Sequence, residues 1–220
     1  MTTQEFSIEF DILYNNLASN AAPPLNEYEK SVFLTKAQSD IVLELYSGRN
    51  NLGLAFESSE EARSYLRPLL IYRTVSLSSD MNTVTIPEDI WLITRESIGN
   101  TPVIPISQDD YYRIKDNPFR GAKKNKRALR VSNGDSDLLI HKEDYPESPS
   151  TLDYKVWGLQ KLSPIILDGI TDTTLTIDGE YASPLDCVLP DSLHKAILDR
   201  AVLYAKQAYV GGQAQRAQQE

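Results

Sequence analysis

Residues 189–208 constrain this chain more than any other stretch, because apolar side chains recur through them at the spacing of a helix that must bury one face. Leu193, Ile197, Ala201, Tyr204 and Ala208 follow one another at steps of four, four, three and four, which lines them up on a 3.6-residue period. Lys195, Asp199 and Lys206 fall off that line. Pro190 suits the first turn, where its missing amide proton is not needed, and Asp191 or Ser192 can cap the free N–H groups. After Val210, the pair Gly211-Gly212 is expected to end the helix, leaving residues 213–220 as a glutamine-rich tail without an apolar face, disordered alone or ordered by a partner. Such a helix is built for docking, and the rest of the fold must supply its neighbours.

The N-terminal third supplies them. Phe6, Phe10, Leu13 and Leu17 fall at helical spacing behind a Thr2/Glu5 capping box, which predicts a helix over residues 3–18. Asn26 with Glu29 opens a second helix that runs to Gly48 on a stripe of Val32, Phe33, Ala37, Ile41 and Leu45. Ser58 with Glu61 repeats the signature before a short third helix that stops near Pro68. From Leu70 the period drops to two, predicting a hairpin between residues 70–77 and 83–86, then strands at 90–98 and 103–106. Ser107, Asp109 and Asp110 can start a short helix. Residues 128–132 and 138–141 flank Asn133-Gly134, a pair suited to a tight hairpin, and 154–159, 164–167 and 174–177 read as further strands. The class is α+β: a helical bundle formed by the N- and C-terminal helices, with an inserted β-rich domain. The expected divisions are 1–69 for the first bundle helices, 70–186 for the insertion, 187–210 for the last bundle helix and 211–220 for a flexible tail.

Composition limits the chemistry. An apolar fraction of 41% and a charged fraction of 24% are ordinary for a globular protein, and no apolar run approaches the roughly 18 residues of a membrane span. Residues 1–10 lack the basic start and apolar core of a signal peptide, so the chain is expected to stay where it is made. The single cysteine, Cys187, cannot close an internal disulfide, in keeping with a reducing cytoplasm. His141 and His194 stand in no catalytic or metal motif and read as surface residues. Cys187 has no metal-ligand spacing to another cysteine. No phosphate-binding glycine loop occurs, and the pairs Glu60-Glu61, Asp109-Asp110 and Glu143-Asp144 read as solvated. The sequence therefore calls for no cofactor, metal or catalysis.

A net charge of −9 argues against general binding to DNA or to an anionic membrane. One segment departs from it. Between Arg113 and Arg130 eight cations stand against Asp116 alone, a net +7, so the remainder carries −16. Arg120, Lys123, Lys124, Lys126, Arg127 and Arg130 are its core, expected as a solvated hairpin loop, a phosphate contact, or a loop that pairs with an acidic neighbouring subunit. Phe119 alone interleaves with them, too few aromatic residues for a single-strand platform.

Several stretches together resemble a known family. They are Asn26-Glu27-Tyr28-Glu29-Lys30-Ser31-Val32-Phe33-Leu34-Thr35-Lys36-Ala37-Gln38, the turn Asn117-Pro118-Phe119-Arg120-Gly121, Ser163-Pro164-Ile165-Ile166-Leu167, and Leu189-Pro190-Asp191-Ser192-Leu193-His194. In that order they resemble the head-to-tail adaptor, or ring, proteins of short-tailed bacteriophages, above all those of crAss-like phages. The resemblance implies a virion protein made in the bacterial cytoplasm. It implies a homo-oligomeric ring, a dodecamer, at the head–tail junction below the portal protein, touching other ring or tail proteins and enclosing the double-stranded DNA that passes through. It also implies a portal-docking role for the C-terminal segment, with Val210, Gly211, Gly212, Gln213, Gln215 and Arg216 as its residues. The alternative left by the residues themselves is a nucleic-acid-binding accessory protein that uses residues 113–130.

Overall fold

The computed structural model describes residues 1–17, 24–50, 53–77, 83–115, 117, 127–132, 137–141, 153–172, 174–181 and 183–217; for 16, 17, 115, 137–141 and 210–217 it describes the backbone alone. The chain is α+β, with N- and C-terminal helices flanking a strand-rich region. It divides into two compact units, residues 1–68 with 162–220, and residues 69–161.

In the first unit, helices α1 (Thr3–Leu17), α2 (Glu27–Ser47), α3 (Glu60–Leu66) and α5 (Asp191–Ala217) pack together, with α5 against both α1 and α2. The capping boxes form as their sequences predict. Thr2 Oγ1 accepts from the Glu5 amide while Glu5 returns a bond to the Thr2 amide, and Asn26 and Glu29 do the same for α2. Gly48 ends α2 at φ 74°, where a Cβ would lie 2.7 Å from that of Ala55. The third helix is capped by Ser59, whose Oγ accepts from the Ala62 amide; the expected start at Ser58 is one residue early.

The buried seam of α2 differs from its apolar stripe. Val32 is exposed, whereas Lys30, Ser31, Thr35 and Gln38 are buried beside Leu34, Ala37, Ile41, Val42 and Leu45. The reason is the segment 163–167, whose residues 164–167 are expected as a strand but carry only one bridge, Ile166 to Leu185. Its backbone is matched instead by side chains of α2 at helical spacing. Gln38 Nε2 donates to the Ser163 carbonyl (2.8 Å), Thr35 Oγ1 accepts from the Ile165 amide (3.1 Å), and Ser31 Oγ accepts from the Leu167 amide (3.0 Å). Ile165, Ile166 and Leu167 are thereby buried without a sheet. Lys30 Nζ lies 2.7 Å from Asp11 and 2.9 Å from Glu27, clamping α1 to α2. Burial alone pulls its pKa down, but the bonds to the two carboxylates outweigh that and raise it, so the ammonium is charged at neutral pH and gives up its proton only in strong alkali.

The C-terminal helix buries Leu193, Ile197, Leu198, Ala201, Val202 and Ala205, a broader stripe than its spacing alone marks out, while Ala208 is exposed. It starts at Asp191, whose carboxylate meets the Met1 ammonium at 3.1 Å instead of capping the first turn. It does not stop at Gly211. The helix continues through both glycines to Ala217; each glycine costs about 1 kcal/mol relative to alanine, which the flanking alanine, glutamine and arginine positions tolerate.

In the second unit, seven strands form one sheet in the order β1-β7-β3-β4-β5-β6-β2, from β1 (Leu70–Ser76), β2 (Thr83–Thr85), β3 (Ile90–Ile98), β4 (Thr101–Ile106), β5 (Ala128–Ser132), β6 (Asp137–His141) and β7 (Asp153–Gln160). The hairpin expected from residues 70–86 does not form. β1 pairs with β7 and β2 with β6, so the two lie at opposite edges of the sheet, yet they come within 8 Å of each other. The sheet therefore curls almost closed around Val84, Ile98, Val103, Tyr154 and Val156. Alternation marks a strand but not its partner, which is why this pairing escapes the sequence. β5 and β6 do pair antiparallel, with Ser132 opposite Leu138; the Asn133-Gly134 turn lies outside the described residues. Gly158 lets β3 cross close by, since a Cβ there would meet Ile90 Cγ2 at 2.6 Å and the Leu92 carbonyl oxygen at 2.7 Å.

A charged group crosses this interior. Arg130 Nε lies 2.7 Å from Glu96, whose other oxygen accepts from the Tyr154 hydroxyl. Burial, helped by the Glu96 charge, pushes the Tyr154 pKa well up and keeps the hydroxyl a donor.

Two substitutions test these arrangements. Thr35→Val leaves the Ile165 amide buried without an acceptor and is expected to lower stability by about 1–3 kcal/mol in urea titration; Val32→Ser is expected to be near neutral. Glu96→Ala strands Arg130 and Tyr154, with an expected loss of about 3–5 kcal/mol by the same measurement.

Candidate assembly surfaces

The basic segment sits on a crossover. β4 and β5 pair in parallel, Val103 opposite Ala128, so the chain must travel the length of the sheet between them. Helix α4 (Gln108–Lys115) covers part of that distance, opened by Ser107, whose Oγ accepts from the Asp110 amide at 3.1 Å. The connection from β4 to β5 is thus a crossover and not a hairpin. Arg120, Lys123, Lys124 and Lys126 lie outside the described residues. Arg127 is half-buried at the mouth of β5. Arg130 is turned inward to Glu96, with a side chain 12% exposed, so its charge is already matched within the sheet.

The helical unit presents apolar surface that the sequence reading missed. Ile8 and Ile12, one turn apart on α1, are both 53% exposed, and Leu203 on α5 is similarly exposed. The isoleucines stand off the Phe6/Phe10 line, and this second i, i+4 pair was the signal available. An apolar recess of about 320 Å³ opens between α1, α2 and α5, lined by Tyr14, Tyr28, Val32, Phe33 and Tyr209. Val210 and the residues beyond it continue as helical backbone to Ala217, so Gly211, Gly212, Gln213, Gln215 and Arg216 extend the helix where a flexible tether was expected.

The residues with potential chemistry are held in structural roles. His194, expected at the surface, is buried: Nε2 lies 2.8 Å from the Leu189 carbonyl oxygen, Nδ1 lies 2.8 Å from the Met1 nitrogen, and Phe6 packs on the ring. The first turn of α5 faces the start of α1, which the spacing of α5 alone does not reveal. Cys187 Sγ donates to Gln38 Oε1 at 3.2 Å, and burial pushes its pKa up to about 11, away from nucleophilic chemistry. The His141 side chain lies outside the described residues. Among the described residues no three metal-ligating side chains converge, and no helix is long and apolar enough to cross a membrane.

Comparison with known proteins accounts for a chain whose polar residues serve packing. The family model described as phage tail ring protein 3/4 matches residues 1–217. Ring protein 3 of Bacteroides phage crAss001 is 38% identical, covering 93% of this chain and 95% of its own. Ring protein 4/5 of the same phage is 33% identical, over 96% and 94%. Matched from its first helix to its last, the chain belongs to the phage tail ring protein 3/4 family, whose names are those of structural ring proteins of the phage tail.

Proposed function

We propose that this protein assembles as a dodecameric ring at the head–tail junction, below the portal, and extends the channel through which the genome leaves. The observation that carries this reading is the near full-length similarity to two differently numbered ring proteins of one phage, which points to a single fold serving more than one ring. A ring closes when each copy meets the next through two different surfaces at a rotation that divides a full turn. The exposed Ile8/Ile12 face of α1 and the recess beside Val32 are suitable apolar elements for such contacts. The +7 segment against a remainder of −16 supplies complementary charge, which sets register and encounter rate more than affinity. The same acidity keeps genomic DNA from adhering to a wall that offers few cations to replace its counterions. The extended end of α5, residues 210–217, is the element assigned to the portal.

Negative-stain microscopy of the purified chain, alone and with portal protein, is expected to show rings and portal-capped rings; removal of residues 211–220 should abolish portal attachment while leaving the melting temperature unchanged. A monomer that binds oligonucleotides would favour a nucleic-acid-binding accessory protein instead. Neutralising Lys123, Lys124, Lys126 and Arg127 together separates the two roles of the basic segment. Impaired ring assembly is expected; intact rings with lost DNA binding at low salt would assign the segment to the genome.

A further inference from the structure

The outward face of the curled sheet carries a pocket built across three strands. The registers of β1, β7 and β3 place Tyr72, Trp157 and Arg95 in one row, and Lys155 and Ser97 side by side in the next. Alternation puts both rows opposite the face that buries Tyr154, Val156 and Ile98. The Tyr72 and Trp157 rings lie 5.0 Å apart, and the Arg95 guanidinium stands 5.0 Å from the centre of the Trp157 ring. With Asn100, these residues line a cavity of about 420 Å³. No carboxylate lines it, and neither Arg95 nor Lys155 has an ion-pair partner among the described residues. In a chain of net −9, two such cations beside two aromatic rings form a receptor for carboxylates. A guanidinium lying on an indole keeps its in-plane N–H donors for an anion while covering the face that a nucleobase would need, so the geometry favours an acidic protein segment over nucleic acid.

We propose that this pocket receives the β8–β9 hairpin of a second copy of the chain, an inference that rests on the ring reading above. β8 (Thr176–Ile177) and β9 (Glu180–Tyr181) pair antiparallel through Asp178-Gly179, both at positive φ (50° and 87°), a two-residue turn. The base is anchored by buried Ile177 and by the Tyr28 hydroxyl, which donates to the Thr176 carbonyl at 3.3 Å. The tip is free: Asp178 and Glu180 are exposed, and Tyr181 is 70% exposed. Several surface carboxylates are engaged locally, Glu61 by Tyr65, Asp110 by Ser107 and Asp172 by Thr174; Asp178 and Glu180 have no partner among the described residues and stand together on one hairpin. The two carboxylates of the hairpin answer the two cations, and Tyr181 answers the aromatic row. Because pocket and hairpin are different surfaces of one chain, the contact is head-to-tail, the kind that closes rings.

Charge reversal tests this contact in the full chain. Arg95→Glu with Lys155→Glu is expected to weaken ring association roughly tenfold or more in sedimentation, with an unchanged melting temperature, and Glu180→Lys with Asp178→Asn should do the same. Combining all four changes in one chain, or mixing the two double variants, is expected to restore rings. Rings that persist in Arg95→Glu/Lys155→Glu overturn the contact alone, and loss of single-stranded oligonucleotide binding in that variant would assign the pocket to nucleic acid. A wild-type chain that forms no rings overturns the ring reading and this contact with it.

Discussion

The helical unit depends on a helix face acting in place of a β-strand. Ser31, Thr35 and Gln38, at successive turns of α2, satisfy the backbone at Leu167, Ile165 and Ser163. Without them an extended segment could not enter the unit, since its amides and carbonyls would lose water and gain nothing. With them Ile165, Ile166 and Leu167 become core. The chain then leads onward to Cys187, which returns to Gln38, and to α5, which packs along α2. Thr3 joins the same assembly through Asp168 and Asp186. Polar side chains on one helix thus decide how both ends of the chain meet.

The sheet unit solves a different problem. Its edges, β1 and β2, are consecutive in sequence yet farthest apart in the order of hydrogen bonding, and curling brings them near each other. Curling encloses an apolar core and also Glu96, which no solvent can serve. Arg130 and the Tyr154 hydroxyl serve it instead. The crossover between β4 and β5 carries the densest positive charge of the chain, and its Arg130 end is bound into this interior.

Much of the architecture was legible from the residues because caps and periods are local. Thr2/Glu5, Asn26/Glu29 and Gly48 mark helix ends by geometry that needs no distant partner. The strands at 90–98 and 128–132 were readable for the same reason. Partnership was not. The β1–β7 pairing, the parallel β4–β5 pair and the non-sheet role of residues 163–167 depend on contacts across scores of residues. Val32 looked buried and Ser31, Thr35 and Gln38 lay outside the expected stripe, because an apolar stripe is a rule about hydrocarbon and this face is held by hydrogen bonds. His194 misled in the same way: its surroundings come from the start of α1. Of the candidate surfaces, the charge segment was visible and the Trp157 pocket was not, since its parts lie on three strands.

A helix of 27 residues is a rod about 40 Å long. Its near half is gripped by α1 and α2, which sets the direction in which the rod leaves the bundle. Gly211 and Gly212 fall within the rod, where bending costs least. They give the rod one elbow, where its last turns can change direction while the buried half keeps its packing.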